Sequence, residues 1–395
     1  MRGQDLFFAA SRRALAPLGL TVLLGGALLA CNPDKLSCAQ DADCGPGATC
    51  DPVNKWCSLP TPPDVKLGCY VNKDCGAGQV CSAKNVCEAD TVCGADGWCR
   101  VDPLIDQMPF SDPLQAVWGV DGKGLWAVGD SASILFYDGT TWQKQATPVQ
   151  SGLLLSVWGS GPTDIYAVGE GGLILHSTDG KSWTRQTPKG QPYLTRVWGT
   201  GPKSVYAVGA ENGTSVVLRS TDGGASWSNV LTKPHVGFLH GIWGPANEEK
   251  LFVVGENQVQ GQCPILMMTG GQWTESGVTS GNDFARDYLR GVFGTAANAV
   301  WAVGDGGVIY YYDGNGTNWR VASSGVTATL YDVSGSGAGN VLAVGALGTV
   351  LKLVDQGTWA KVESVSKSAY FGSWSPDNKT SWIVGYNGVA LRRQQ

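Results

Sequence analysis

The stretch "SVWGSGPTDIYAVGEGGLILHSTDGKSW" (156–183) decides the fold, because the chain repeats it. The next copy, "RVWGTGPKSVYAVGAENGTSVVLRSTDGGASW" (196–227), keeps every landmark. A bulky "VWG"-like triplet stands at 117–119, 157–159, 197–199, 242–244, 292–294 and 333–335, and decays to Ser373-Trp374-Ser375 in the last copy. Eight to twelve residues on comes an apolar run ending in Val-Gly, from Val128-Gly129 to Val384-Gly385. A short apolar strand such as "LILHS" (173–177) follows, then a tight turn, often Asp-Gly, then a Trp. Gly and Asp tolerate the positive φ of a two-residue hairpin, so each copy reads as strands joined by tight turns.

Copies spaced by about 40 residues, each with four short strands, predict propeller blades. The fold expected is all-β, a seven-bladed β-propeller over 101–395 preceded by a small disulfide-rich module at 38–100. The last copy stops at "ALRRQQ" (390–395) with no fourth strand. The unclaimed stretch "VDPLIDQMPF" (101–110) stands where that strand belongs, so a strand around 102–110 is expected to close the ring and remove two exposed edges. Of the 16 Trp, Trp56 and Trp98 lie among the cysteines, and every other one occupies one of three repeat positions. Such strict placement favours rings packed between blades over a row of sugar-stacking platforms.

"STDGGASW" (220–227) resembles the Asp-box of sialidase-like propellers, and "STDGKSW" (177–183), "YDGTTW" (137–142) and "YDGNGTNW" (312–319) are looser copies. The resemblance implies a turn-stabilising role in which the Asp accepts backbone N–H groups and the Trp packs between blades. The whole repeat is also similar to the propeller family that assists photosystem II assembly, which implies protein binding through one face. A sialidase would need an arginine triad, a Tyr–Glu pair and an Arg-Ile-Pro-type motif. That motif is absent, and only Arg196 and Arg290 precede a triplet at comparable positions. His176, His235 and His240 have no metal-helix or triad spacing. "DGNGTN" (313–318) opens like a calcium loop but lacks its closing Glu and fills a hairpin slot.

Before the repeats lie two other segments. Arg2, Arg12 and Arg13 precede an uncharged apolar run over 14–30, the pattern of a signal peptide. The junction Leu28-Leu29-Ala30-Cys31 resembles the lipobox of bacterial lipoproteins, which implies removal of 1–30, lipidation of Cys31 and a tether over 31–37. Asn32, rather than Asp, follows the cysteine, and the expected location is therefore the outer membrane, facing periplasm or cell surface.

Ten cysteines then recur at near-constant spacing: Cys38, Cys44, Cys50, Cys57, Cys69, Cys75, Cys81, Cys87, Cys93 and Cys99. A segment with few large apolar residues cannot bury a core, and an even count in an exported chain reads as five disulfides of unknown pairing. Zinc is the rival, but it favours C-x2-C spacing and this segment contains no His. The pattern resembles Dickkopf N-terminal cysteine-rich repeats, which implies a stalk or recognition knob. Cys263 is left over and expected to be free.

Setting aside three Arg and one Asp of the first 30 residues leaves 25 basic against 32 acidic residues, and no Lys/Arg cluster. That balance argues against nucleic acid as a partner. No cofactor or metal motif is present, and a phosphate-cradling Gly loop opening a helix is missing as well. The expected function is therefore a membrane-anchored, non-catalytic binding scaffold for a protein or glycan. The alternative is a glycan-acting hydrolase or lyase on a sialidase-like propeller. Directly after the Val-Gly of four copies stand Asp130, Glu170, Glu256 and Asp305, with Glu211 one place later in another. Strand alternation puts them on the face opposite the Asp-Gly turns, and that face is expected to bind, helped by the fourth-copy insertions 256–264 and 275–288.

Overall fold

In the computed structural model the described residues are 93–394, apart from 107, 121–123, 232–236, 247–249, 257–264, 279–287 and 356. Four short strands further upstream are also described: Thr49–Cys50, Cys57–Ser58, Gln79–Cys81 and Cys87–Ala89. The signal segment, Cys31, His235, Cys263 and most of both fourth-copy insertions lie outside these residues.

The chain divides into two compact units, Met1–Lys66 and Leu67–Gln395. In the first, Thr49–Cys50 pairs antiparallel with Cys57–Ser58. In the second, Gln79–Cys81 pairs with Cys87–Ala89 in the same manner, and seven four-stranded antiparallel blades follow. Blade 2 shows the pattern: Leu154–Gly161 is innermost, then Asp164–Gly169, Ile174–Ser177 and Thr184–Gln186 outward. The fifth blade gains an extra outer strand, Gly277–Val278, running parallel to Asn318–Ala322.

The Val-Gly pair ends the second strand because the neighbouring backbone leaves no room there. At Gly169 and Gly209 a Cβ would fall 1.8 Å from the carbonyl oxygens of Leu153 and Tyr193. Any side chain would push the innermost strand away, which is why Gly recurs at this place in all seven blades.

Each gap between neighbouring blades holds its own apolar cluster. Trp126 of blade 1 packs with Leu154, Ile165 and Trp183 of blade 2. Blades 7 and 1 meet the same way through Trp382, Val384, Leu114, Tyr137 and Trp142, which closes the ring. In blades 1 to 4 the Trp after the outer turn also makes a tie across to a neighbouring segment by its indole N–H, as in Trp183 Nε1 to Gln145 Oε1 at 2.7 Å and Trp273 Nε1 to the Val230 carbonyl at 2.8 Å. These rings are wedge fillers, each burying ~150–250 Å2.

The closing strand is Trp98–Arg100, not the 102–110 stretch. Arg393 faces Trp98, Arg392 faces Cys99 and Leu391 faces Arg100. Pro103 and Pro109 lack the N–H a ladder needs, and that stretch instead folds on itself, Leu104–Ile105 against Met108–Pro109. Trp98 has no exposed surface and joins the core between blades 6 and 7. A disulfide links Cys93 to Cys99 beside this strand. Asp102 then accepts the Ala390 N–H at 2.8 Å and pairs with Arg100, fixing the strand's exit.

Candidate functional site: the mouth of the central channel

The innermost strands line a channel, and the three residues ahead of each Gly in the triplet region stack as three rings along it. At one end sit Trp118, Trp158, Trp198, Trp243, Phe293 and Trp374 around a cavity of about 140 Å3. A Cβ on Gly199 would lie 2.2 Å from the Trp158 ring, so the triplet's Gly is the floor on which its neighbour's Trp rests.

Two places before each of these aromatics the residues are small, as at Ala116, Ser156, Gly241, Gly291 and Gly372, except in blades 3 and 6. There Arg196 reaches Asp332, Nη2 to Oδ1 at 2.6 Å, across the axis of the ring. Asp332 also accepts the Ser373 N–H at 2.8 Å and its hydroxyl at 3.1 Å. The pair forms a crossbar that separates the Trp-lined cavity from the opposite mouth.

That mouth is a recess of about 290 Å3 lined by Gln115, Leu155, Tyr193, Thr195, Arg196, His240, Arg290, Tyr331 and Phe371. Most of these stand at one repeat position, directly before the crossbar ring. Tyr331 and Phe371 meet edge to face at 5.4 Å, and the Arg290 guanidinium lies 5.6 Å from the Tyr331 ring centre. Tyr193 meets Phe238 edge to face at 6.1 Å.

The four carboxylates singled out in the sequence stand at equivalent places on this face. Each begins the turn after the second strand, its N–H bonded to the carbonyl of the residue before the innermost strand. Asp130 N bonds Pro113 O at 3.2 Å, Glu170 N bonds Leu153 O at 3.1 Å, Glu256 N bonds Phe238 O at 2.9 Å and Asp305 N bonds Tyr288 O at 3.0 Å. Each side chain has a polar neighbour at this mouth. Asp130 accepts from Gln115 Nε2 at 3.1 Å, and Glu170 accepts the Leu153 N–H at 3.1 Å. Asp305 takes both Nε and Nη2 of Arg290, the latter at 2.9 Å, and Glu256 stands 3.9 Å from His240 Nε2. Glu211 holds the Gln191 N–H at 2.8 Å.

The electrostatics follow from this packing. Burial, reinforced by Arg290, pulls the His240 imidazole down to about 4 against the opposing pull of Glu256 and Asp305. The Asp305 hydrogen bonds hold the Arg290 guanidinium firmly protonated. Burial and the nearby charges of Glu170 and Asp130 push the Tyr193 phenol up.

On the opposite face, where an outer turn carries an Asp, that Asp accepts backbone N–H groups. Asp179 takes those of Lys181 and Ser182 at 2.8 and 2.7 Å, and Asp222 takes that of Ser226 at 2.9 Å. The Ser226 bonds hold Asp222 down at about 2. Among the described residues no group of three His, Cys, Asp or Glu side chains could hold a metal ion, and no helix is long and apolar enough to cross a membrane.

Sequence reasoning found the acids but missed the recess they support. The signal was the residue two places before the start of each triplet: Gln115, Leu155, Thr195, His240, Arg290, Tyr331 and Phe371. That position varies in chemistry while the residue before it is Leu in six copies and Tyr370 in the seventh, which marks it as freed from the packing constraint.

Seven four-stranded blades around a blocked channel define a seven-bladed β-propeller. Residues 115–236 match the DUF6242 beta propeller domain. No curated protein matches the chain in sequence. Among solved structures, YCF48 bound to D1 peptide is similar at TM-score 0.60 and 20% identity, over 78% of this chain and 100% of that one. YCF48 from Cyanidioschyzon merolae gives 0.60 and 19%, over 75% and 99%. Virginiamycin B lyase from Staphylococcus aureus gives 0.61 and 13%, also over 75% and 99%. At such identities the likeness is one of fold.

Proposed function

We propose that this chain is a non-catalytic binding protein of the bacterial envelope that takes a protein or glycan partner at the mouth formed by the turns after the second strands. The observation that carries this is the recess beside Arg290, whose charged groups are committed to holding its wall. Asp305 and Asp332 position arginines, Glu170 and Glu211 hold backbone, and Asp130 holds Gln115. Acid–base chemistry needs a group poised near the working pH, and a His held at about 4 is a weak base at neutrality. The similar fold of YCF48 bound to a D1 peptide supports the idea that such a propeller can hold a protein segment.

The second reading is a glycan-acting hydrolase or lyase, which His240 beside Glu256 supports. Turnover of any glycan that disappears in His240→Gln would favour it. In the leading reading the lipid at Cys31 and the cysteine-rich segment fix the propeller to the membrane, and Cys31→Ala should release the protein from membrane fractions. The binding face is tested by a photo-cross-linking residue at Leu347, 80% exposed on the mouth rim, against one at Lys181 on an outer turn. In intact cells adducts should form from position 347 and not from 181. The reverse pattern would contradict the proposal.

A further inference from the structure

We infer that the recess at the channel mouth takes a neutral saccharide residue, presented as the end of a glycan. The inference rests on the reading of this face as the binding face and names the chemistry that fits it.

Charge is the first argument. Both arginines in the recess already have carboxylate partners, Arg196 with Asp332 and Arg290 with Asp305 on two of its donors. An incoming anion would have to displace a held carboxylate to gain a guanidinium. An incoming cation would find Asp305, Asp130 and Glu170 already accepting bonds. A ligand that carries no charge and many hydroxyls meets neither penalty, because each arginine has five donors and its partner occupies only some.

Shape and polarity are the second. Planar polar groups are held rigid by those same pairs, and Arg290 is further fixed against Tyr331. Rings of Tyr331 and Phe371 set edge to face leave an apolar wall beside them. A pyranose offers the matching features, a C–H face for a ring and hydroxyls around its edge for forked donors. The recess, about 290 Å3, is at the small end of ligand pockets and suits one or two sugar units rather than a long chain. An extended peptide fits less well, since it gains most from a groove or a free strand edge. Here access runs along the axis, between turns.

The rings doing this are Tyr and Phe on the channel mouth, not the periodic Trp, which either fill the gaps between blades or line the cavity at the other end of the channel. The variable position before the crossbar ring thereby becomes the specificity position.

The test is ligand-observed NMR on the detergent-solubilised full chain. Its probes are methyl glycosides of glucose, galactose, mannose and N-acetylglucosamine at about 10 mM. Glucuronic acid, glucosamine and a lysine-rich peptide serve as charged probes. At least one neutral glycoside should show saturation transfer and exceed its charged counterpart. Phe371→Ala and Tyr331→Ala should each weaken it about tenfold while the thermal transition stays in place. Should Phe371→Ala fail to fold, Phe371→Leu keeps the bulk and removes the ring, and it should weaken binding similarly. Absence of transfer from every neutral glycoside would overturn the inference, as would binding indifferent to both ring removals or stronger for the charged probes. If adducts still form at position 347 in that case, the face binds a protein and the broader reading stands. If they do not, both fall.

Discussion

Arg196 and Asp332, on innermost strands of the third and sixth blades, meet at 2.6 Å across the channel of the propeller. Their neighbours in the same ring are small, so nothing else spans the axis at that level among the described residues. A pair with Asp332 only 6% exposed offsets its desolvation only while both partners are present. Asp332→Ala should therefore destabilise the propeller by about 3 kcal/mol by leaving a guanidinium uncompensated. The double change Arg196→Leu/Asp332→Leu should recover much of that loss. Denaturant midpoints of the two variants check this, and equal losses would mean that the crossbar is not a coupled pair.

Closure of the ring depends on a three-residue strand. Trp98→Ala should cost about 3–5 kcal/mol, because it empties a fully buried site between blades 6 and 7. Cys93→Ser with Cys99→Ser should cost less, about 2 kcal/mol, since the disulfide closes only a short loop. Limited proteolysis near residue 97, followed with and without reductant, reports release of the strand. Unchanged cleavage in Trp98→Ala would show that the ring does not rely on it.

The closing strand also shows where the sequence was legible and where it was not. Periodicity located the repeated strands because triplet, Val-Gly and turn recur together, and each is imposed by a contact that recurs with it. Gly169 must be Gly because the Leu153 carbonyl lies beside it, and that is true in every blade. "ADGW" (95–98) carries the same Asp-Gly-then-Trp signal, and Arg393 faces Trp98 as Tyr137 faces Trp142. Regular cysteine spacing masked it, since Cys93 and Cys99 continue the series that begins upstream. The acids at the mouth were visible as a repeated column. Their partners were not, because Arg290 with Asp305 and Arg196 with Asp332 are set by ring closure rather than by local sequence.

His240 gives a pH signature. Its folded value is held at about 4 by burial and by Arg290, with Glu256 and Asp305 opposing. The unfolded chain, with an ordinary His near 6.5, takes up the proton first as pH falls. Stability attributable to this group is therefore fully present above about 6.5 and declines as pH falls toward 4. His240→Gln should flatten the stability profile across that window. NMR titration should find the His240 imidazole still neutral at pH 5, and a His240 that titrates near 6.5 would refute the burial argument.

The binding face is tested most directly by amide hydrogen exchange on the full chain with and without its cross-linked partner. Protection should rise in the mouth turns Asp130–Ala132, Glu170–Gly172, Asp305–Gly307, Ala346–Gly348 and Tyr386–Gly388. The outer turns around Asp138, Asp179 and Asp222 should be unchanged. Protection confined to those outer turns, with the mouth exchanging as before, would contradict the assignment of this face.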